Sequence, residues 1–551
     1  MMSHPPPGCD ERIGRELSAK MDFVPERARV LDEHLRLIRD GVVNYSATLA
    51  SAVTAFVLVP IMLRNLRAEQ YGLWVAAMSV LGIATSLDLG LGLAITREIA
   101  AAAAGARKQT AAYVNSCGSL LLLLAAIGAM AAVVLALPFA AGLSSGRAQE
   151  TVAREVFVIC AIAVFLRYAL GWTRAVLHGI GRFDLDTSVS VLIAALWAAG
   201  VIVLLHTGLR VRAIAAWFVA VNGIGLIVAT ALLRRVAPPF TPRIQYPPRL
   251  AAGSQMRFAM LSQLAMLFNA VAWEGPILAA GLVLGARNVV PYYIGLKYPL
   301  AISLFSWSVG TALFPAASRH PGAQDNDAVA MRAATALRWI MVCALPGCVT
   351  LMMIAPDLLA AWLGAVPPGS VRSMRLLAVA VAADAAAVAP LHVLWALGDV
   401  NAIAAINCGM AAIALTAAPL LAAWIGITGV AWSMLIAMSF AAVAFSSRLS
   451  CRDRRDGLEF LLAGVEDLWP ALAACGTAVA LTGYLFVNLG WVAIAARVGI
   501  GAIVYGVVAW FYSAHAGERE AALRAAATAR RFFSRAGRSL WLRTISSGIE
   551  S

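Results

Sequence analysis

Apolar runs of about 20 residues recur along this chain from residue 41 to residue 513, and they leave few folds open. Fourteen can be marked, at 41–63, 71–95, 112–137, 156–176, 187–206, 213–233, 258–284, 290–316, 333–354, 376–396, 400–423, 427–446, 469–487 and 491–513. At about 1.5 Å per residue, each is long enough to cross a hydrocarbon core of about 30 Å as a helix. In lipid, every backbone N–H and C=O must be bonded within its own helix or around a closed barrel, and runs of this length fit helices. The expected fold is therefore an all-α polytopic membrane protein with about 14 transmembrane helices. Composition agrees: 61% of the residues are hydrophobic and 13% charged, against about 25% charged in a soluble chain.

A net charge of +14 would suit a nucleic-acid partner if the basic residues shared one surface, but they alternate with the loops instead. With the N-terminus in the cytoplasm, roughly 31 Lys and Arg fall on the cytoplasmic side and about nine on the outer side. Both ends of the chain are strongly basic, which places both termini in the cytoplasm and makes the helix count even. Anionic lipid partners follow, with no nucleic acid. The first apolar run starts after a long polar segment and exceeds the length of a signal-peptide core. The eight cysteines are scattered, without metal-ligand spacing, and read as small packing residues. No cofactor or metal is expected.

The second half of the chain echoes the first at an offset of about 217 residues. Pro60-Ile61 returns as Pro276-Ile277, and the stretch Leu177 to Gly181 returns as Leu394 to Gly398. Leu66 to Trp74 aligns with Leu284 to Tyr292, and Ala216-Trp217 with Ala431-Trp432. Six helices per copy is an even number, so both copies enter from the same side and form a parallel repeat. The domains expected are a basic cytoplasmic segment 1–40, a six-helix bundle 41–233, a proline-rich cytoplasmic linker 234–257, a second six-helix bundle 258–447, two additional transmembrane helices 448–513, and a basic cytoplasmic tail 514–551. Duplicated bundles of this kind suit alternating access around a midplane site.

Charges inside apolar runs cost about 3 kcal/mol each on insertion scales and rarely face lipid. The six in this chain are Asp88, Arg167, Glu274, Lys297, Asp384 and Arg497. At about 100° per residue, Asn44, Thr48, Ser51 and Thr54 share one face of the first run, and Trp74, Thr85 and Asp88 one face of the second. Gln263 and Glu274 line up on the seventh run beside Ser262, Asn269 and Trp273; Tyr293, Lys297, Ser308 and Thr311 line up on the eighth. These stripes read as the lining of a shared polar cavity, with local pairing or capping as the alternative. Arg167 and Asp384 are repeat-equivalent and are expected at equal depth, either as a closing pair or each paired in its own bundle. Arg497 lies in the last run and reads as a structural or snorkelling residue.

The stretch Phe56 to Leu66 (FVLVPIMLRNL), followed by Glu69-Gln70-Tyr71-Gly72-Leu73-Trp74 and then Leu87-Asp88-Leu89-Gly90-Leu91-Gly92 and Thr96-Arg97-Glu98, resembles the opening of the Wzx-type polysaccharide-export flippases. These belong to the multidrug/oligosaccharidyl-lipid/polysaccharide exporter superfamily. Trp273-Glu274, Leu284-Gly285 and Tyr292 extend the likeness. It implies translocation of a polyprenyl-pyrophosphate-linked oligosaccharide for O-antigen or exopolysaccharide synthesis, with a polysaccharide polymerase complex as partner. On this reading Lys297 and Arg167 attract the pyrophosphate, Trp74, Trp273, Tyr292 and Tyr293 stack on sugar rings, and Glu274, Asp88, Asp384 and Asn44 complete the lining.

Two relatives in the same superfamily remain open as alternatives: a lipid II-type flippase and a cation-coupled multidrug antiporter, in which Asp88, Glu274 or Asp384 would bind Na⁺ or H⁺. A membrane-embedded glycan ligase or polymerase would carry a large outer loop with catalytic Arg or His. The longest outer loops here, 138–155 and 356–375, are short and contain no His, so an enzyme is not expected.

Overall fold

The computed structural model describes residues 50–86, 91–101, 107–144, 146–237, 240, 254–318, 326–450, 456–486, 490–513 and 519. These residues form sixteen α-helices and no strand. In chain order they are α1 (Ala50–Asn65), α2 (Ala68–Thr85), α3 (Leu91–Ala101), α4 (Arg107–Leu143), α5 (Arg147–Gly179), α6 (Phe183–His206), α7 (Val211–Val236), α8 (Ser254–Leu284), α9 (Ala286–Ser318), α10 (Asn326–Leu363), α11 (Ser370–Ala396), α12 (Val400–Ile425), α13 (Ile427–Ser450), α14 (Gly457–Ala463), α15 (Trp469–Leu485) and α16 (Gly490–Val508). A π-helical turn, Ala509–Ser513, closes the last helix.

Eleven of the helical segments are long and apolar enough to span a membrane, and each overlaps one of the fourteen runs read from the sequence. The other three runs differ for physical reasons. The first is helical over Ala50–Asn65; its start lies outside the described residues. The second is divided between two described helices, α2 ending at Thr85 and α3 starting at Leu91, and residues 87–90 lie outside the described residues. The eighth is the 33-residue helix α9, ample in length, whose apolar character is diluted by Tyr293, Lys297 and several serines. Pro276 lies within α8 and Pro60 within α1, so both helices continue through their prolines. The basic segment 1–40, most of the 234–257 linker and nearly all of the basic tail lie outside the described residues.

The described residues group into two compact units: those within Met1–Leu66, Gly90–Val134 and Val158–Leu250, and those within Arg67–Leu89, Leu135–Phe157 and Ala251–Ser551. Helix α2 thus belongs to the unit that carries the C-terminal helices.

The sequence echo has a counterpart in local backbone. After α5, Gly181 adopts φ 75°, its N–H bonds to His178 O at 3.0 Å, and the Arg182 N–H bonds to Leu177 O at 2.9 Å. After α11, Gly398 adopts φ 75° as well, bonding to Trp395 O at 3.0 Å, and the Asp399 N–H bonds to Leu394 O at 3.0 Å. This is the same left-handed helix stop, which satisfies two carbonyls of the last turn.

In the second unit, α11 is the most buried of the eleven spans. Its alanine-rich sequence lets α9, α10 and α13 close around it, as small residues do between membrane helices. Helix α2 joins this unit through Gly72: a Cβ there would stand 1.9 Å from the Ala286 carbonyl oxygen. Gly72→Ala is therefore expected to force α2 away from the start of α9 and to cost about 1–3 kcal/mol. A lowered thermal midpoint of purified protein would report it; an unchanged midpoint would mean that the contact yields freely.

The last two spans are tied to α10 at both of its ends. Near one end, the buried Arg338 donates to Asp467 at 3.2 Å and to the Ser513 carbonyl. Nineteen residues later on the same helix, Asp357 pairs with Arg497 of α16, which also donates to the Val479 carbonyl at 3.3 Å. The Ser513 hydroxyl closes the hairpin by donating to Asp467 O at 2.5 Å. Arg497 is thus structural, as its place in the sequence suggested.

Candidate functional site

Two of the intramembrane charges lie together in the second unit. Glu274 sits mid-way along α8, partly buried, and accepts a hydrogen bond from the Ser79 hydroxyl of α2. The Lys297 ammonium of α9 is close enough to act on that carboxylate electrostatically. Its Nζ lies 3.7 Å from the centroid of the Tyr293 ring one turn earlier, a cation–π geometry. Tyr293 in turn meets Tyr71 of α2 edge-on at 6.2 Å. Tyr292 is wholly buried and its hydroxyl has no hydrogen-bond partner. Trp273 is partly buried next to Glu274, whereas Trp74 is only 6% exposed and presents no open ring.

Helices α2, α8 and α9 are held in register by polar contacts as well as packing. Gln263 donates to the Ser86 carbonyl at 2.5 Å, and Thr85 and Ser86 fold their hydroxyls back onto their own helix. Ser308 and Thr311 also bond to their own helix, at 2.8 Å each. The constellation holds one cation, one anion and a stack of phenol rings. Such a group can neutralise an anionic ligand and stack against a ring-bearing one.

The first unit carries a cationic face. On α5, Arg167, Gly171, Arg174 and His178 follow at intervals of four, three and four residues, so they share one side of the helix. Arg174 is held by a bidentate bond to the buried Asp186 of α6, 2.7 and 3.2 Å, and by Ser190 at 2.9 Å. His178 Nε2 lies 2.9 Å from the same carboxylate. Arg167 is exposed and has no hydrogen-bond or ion-pair partner among the described residues. The opposite side of α5, about two and a half turns away by periodicity, exposes Val158, Ile162 and Phe165 at 40%, 52% and 37%. An apolar exposed stripe suits lipid, and a charged one suits a water-filled or ligand-filled space. Among the described residues nothing occupies the guanidinium fork of Arg167, the geometry that takes a carboxylate or phosphate by two parallel hydrogen bonds.

Asp384 is buried near the middle of α11 and is satisfied within its own unit, by the Ser303 hydroxyl at 2.5 Å and by the Trp307 indole. Asp88 and Asn44 lie outside the described residues. The sequence reading missed Ser79, Arg174, His178, Asp186, Ser303 and Trp307. The spacing of Arg174 and His178 from Arg167 was a signal that periodicity alone could have used; a lone serine in an apolar helix carries none.

The chain's fold is shared with solved transporters. A structure described as the lipid II flippase MurJ in an inward closed conformation superposes with a TM-score of 0.66 at 12% identity, covering 86% of this chain and 99% of that one. An inward-facing multidrug resistance MATE family transporter of the MOP superfamily gives a TM-score of 0.54 at 16% identity, over 75% of this chain and 96% of that one. A MOP superfamily transporter from Pyrococcus furiosus, described as having a binding pocket of reverse polarity, gives 0.51 at 15% identity, over 76% and 96%. At these identities the likeness is one of fold. No curated protein matches in sequence. The family model described as "Polysaccharide biosynthesis protein" matches residues 37–320, just over half of the chain and including the hairpin motif, α8 and α9. This multi-pass, all-helical membrane protein belongs to the polysaccharide biosynthesis protein family.

Proposed function

We propose that the chain translocates polyprenyl-pyrophosphate-linked oligosaccharide repeat units from the cytoplasmic to the outer leaflet of the bacterial inner membrane by alternating access, for O-antigen or exopolysaccharide synthesis. The observation that carries this reading is Arg167, exposed and unpaired among the described residues, on the polar side of a lipid-spanning helix. A pyrophosphate is the part of such a substrate that hydrocarbon excludes most strongly, and a free guanidinium fork is its natural receptor. The second unit carries a cation of its own, Lys297. Tyr293 and Trp273 supply ring faces for sugars. Family membership and the transporter fold support the same class of activity, and a polysaccharide polymerase is the downstream partner it implies.

A strain lacking the protein is expected to accumulate lipid-linked repeat units on the cytoplasmic side of its membrane and to lose surface glycan. Normal surface glycan with raised drug sensitivity would instead establish a multidrug antiporter. Accumulation of the lipid-linked peptidoglycan precursor would establish a lipid II-type flippase.

A further inference from the structure

Gly171 of α5 is a glycine that the packing does not ask for. It lies within the regular helix Arg147–Gly179 and is not one of the glycines with positive φ. Glycine weakens a helix relative to alanine, so a glycine in a helix interior needs another use. Elsewhere in the first unit that use is close packing. A Cβ on Gly118 of α4 would stand 2.6 Å from the Trp172 indole, one on Gly200 of α6 1.9 Å from Trp217, and one on Gly225 of α7 2.4 Å from Ile193. A Cβ on Gly171 would meet no atom of the described residues within 4 Å. Its counterpart at the repeat offset, Val388 of α11, is 1% exposed and fills the space beside Gly310 of α9, where an added Cβ would stand 2.4 Å from Val388 Cγ1. The repeated scaffold thus accepts a branched side chain at this position. One copy fills it; the other leaves it bare.

The bare position has a charged setting. Gly171 is partly exposed on the face of α5 opposite Ile162, with Arg167 one turn before it and Arg174 one turn after it. Arg174 is held in place by Asp186 and Ser190, and Arg167 is unpaired among the described residues. A polyprenyl-pyrophosphate-linked glycan carries its lipid chain on one phosphate and its first sugar on the other. The sugar is a rigid ring, and a side chain at position 171 would stand on the ground next to the anion. Bare backbone leaves that ground open, and helix carbonyl oxygens keep a second lone pair to which a sugar hydroxyl can donate. A bend point is another use of glycine in a helix, and it has a different signature, because alanine removes it as fully as a larger residue does.

We propose that the bare backbone at Gly171 is the subsite for the sugar bonded to the pyrophosphate, and that this position sets how bulky the first sugar can be. The proposal rests on the reading of Arg167 as the pyrophosphate receptor. Two probes separate them: polyprenyl pyrophosphate without sugar, and the lipid-linked repeat units extracted from a strain lacking the protein. Their dissociation constants are measured on purified full-length protein in lipid nanodiscs. Gly171→Leu is expected to lose about ten- to a hundredfold in affinity for the sugar-bearing lipid, the effect of overfilling a contact, and to bind polyprenyl pyrophosphate as wild type does. Gly171→Ala should lose about threefold, for the sugar-bearing lipid only. Thermal midpoints of both variants should equal or exceed that of wild type, since a Cβ there meets open space and strengthens the helix. If Arg167→Ala weakens both lipids while Gly171→Leu binds them as wild type does, the proposal is overturned and the pyrophosphate reading stands. A loss as large in Gly171→Ala as in Gly171→Leu marks a bend point and overturns it too, as does an equal loss for the two lipids. If the strain yields no such lipid, wild type binds neither probe, or Arg167→Ala weakens neither, the pyrophosphate reading fails and the proposal falls with it. Should Gly171→Leu not give monodisperse protein, Gly171→Ala decides, and an unchanged affinity for the sugar-bearing lipid overturns the proposal.

Discussion

Arg167→Ala is expected to cut delivery of lipid-linked oligosaccharide to the outer leaflet by about ten- to a hundredfold while leaving the protein as stable as before, or more so. The first figure follows from losing hydrogen bonds between a cation and an anionic group, about 1.5–3 kcal/mol, at about 1.4 kcal/mol per decade. The second follows from the position of the side chain. Arg167 is exposed and unpaired among the described residues, so its removal strands no partner and relieves the chain of an intramembrane charge worth about 3 kcal/mol on insertion. Arg167→Lys keeps the charge and loses the planar fork, and should fall between wild type and alanine. Delivery and thermal midpoint, measured on the same variants, separate the readings. A fall in both would mark Arg167 as structural; full delivery would remove it from the substrate path.

Lys297→Ala should behave differently, because Lys297 has a neighbour that depends on it. Without the ammonium, Glu274 keeps the Ser79 hydroxyl and loses a nearby positive charge, at a cost of about 0.5–1 kcal/mol. Delivery and thermal midpoint are both expected to drop. Adding Glu274→Gln to Lys297→Ala removes the stranded charge, so the midpoint should recover while delivery stays low. Recovery of both would reduce the pair to a structural tie. Failure of the midpoint to recover would show that Lys297 acts on stability through Tyr293 rather than through Glu274.

These two residues also show what could be read in the sequence. Lys297 and Glu274 stood out because a charge within an apolar run has few reasons to be there, and the helical period put each on a polar stripe. Most of the helices were legible for the same reason, since length and apolarity are local properties. The contacts were not. Ser79 looks like one more small residue in α2, and only the approach of α2 to α8 turns it into the donor for Glu274. Ser303 and Trp307 lie off the polar stripe that holds Tyr293 and Lys297, so nothing in the pattern paired them with Asp384. Asp186 comes just after a glycine turn, where an acidic residue reads as ordinary helix-start chemistry. Its bonds to Arg174 and His178 required the fold. The end of α2 at Thr85 was likewise hidden, because a helix stop within an apolar stretch barely disturbs its length.

The ties at the two ends of α10 bear on how this chain is made. Arg338 and Asp357 leave the ribosome well before the hairpin that satisfies them, and chains enter the membrane from the N-terminal side first. During synthesis, then, Arg338 and Asp357 wait for their contacts with the hairpin. Arg497, a charge that lipid resists, arrives at a counter-ion already in place. The final hairpin acts as the closing step of assembly, and a nascent chain that stops short of residue 457 is left with an Arg338 that has neither Asp467 nor the Ser513 carbonyl to meet. Such an unfinished product keeps a buried cation short of two of its contacts, in a setting where hydrocarbon penalises charge.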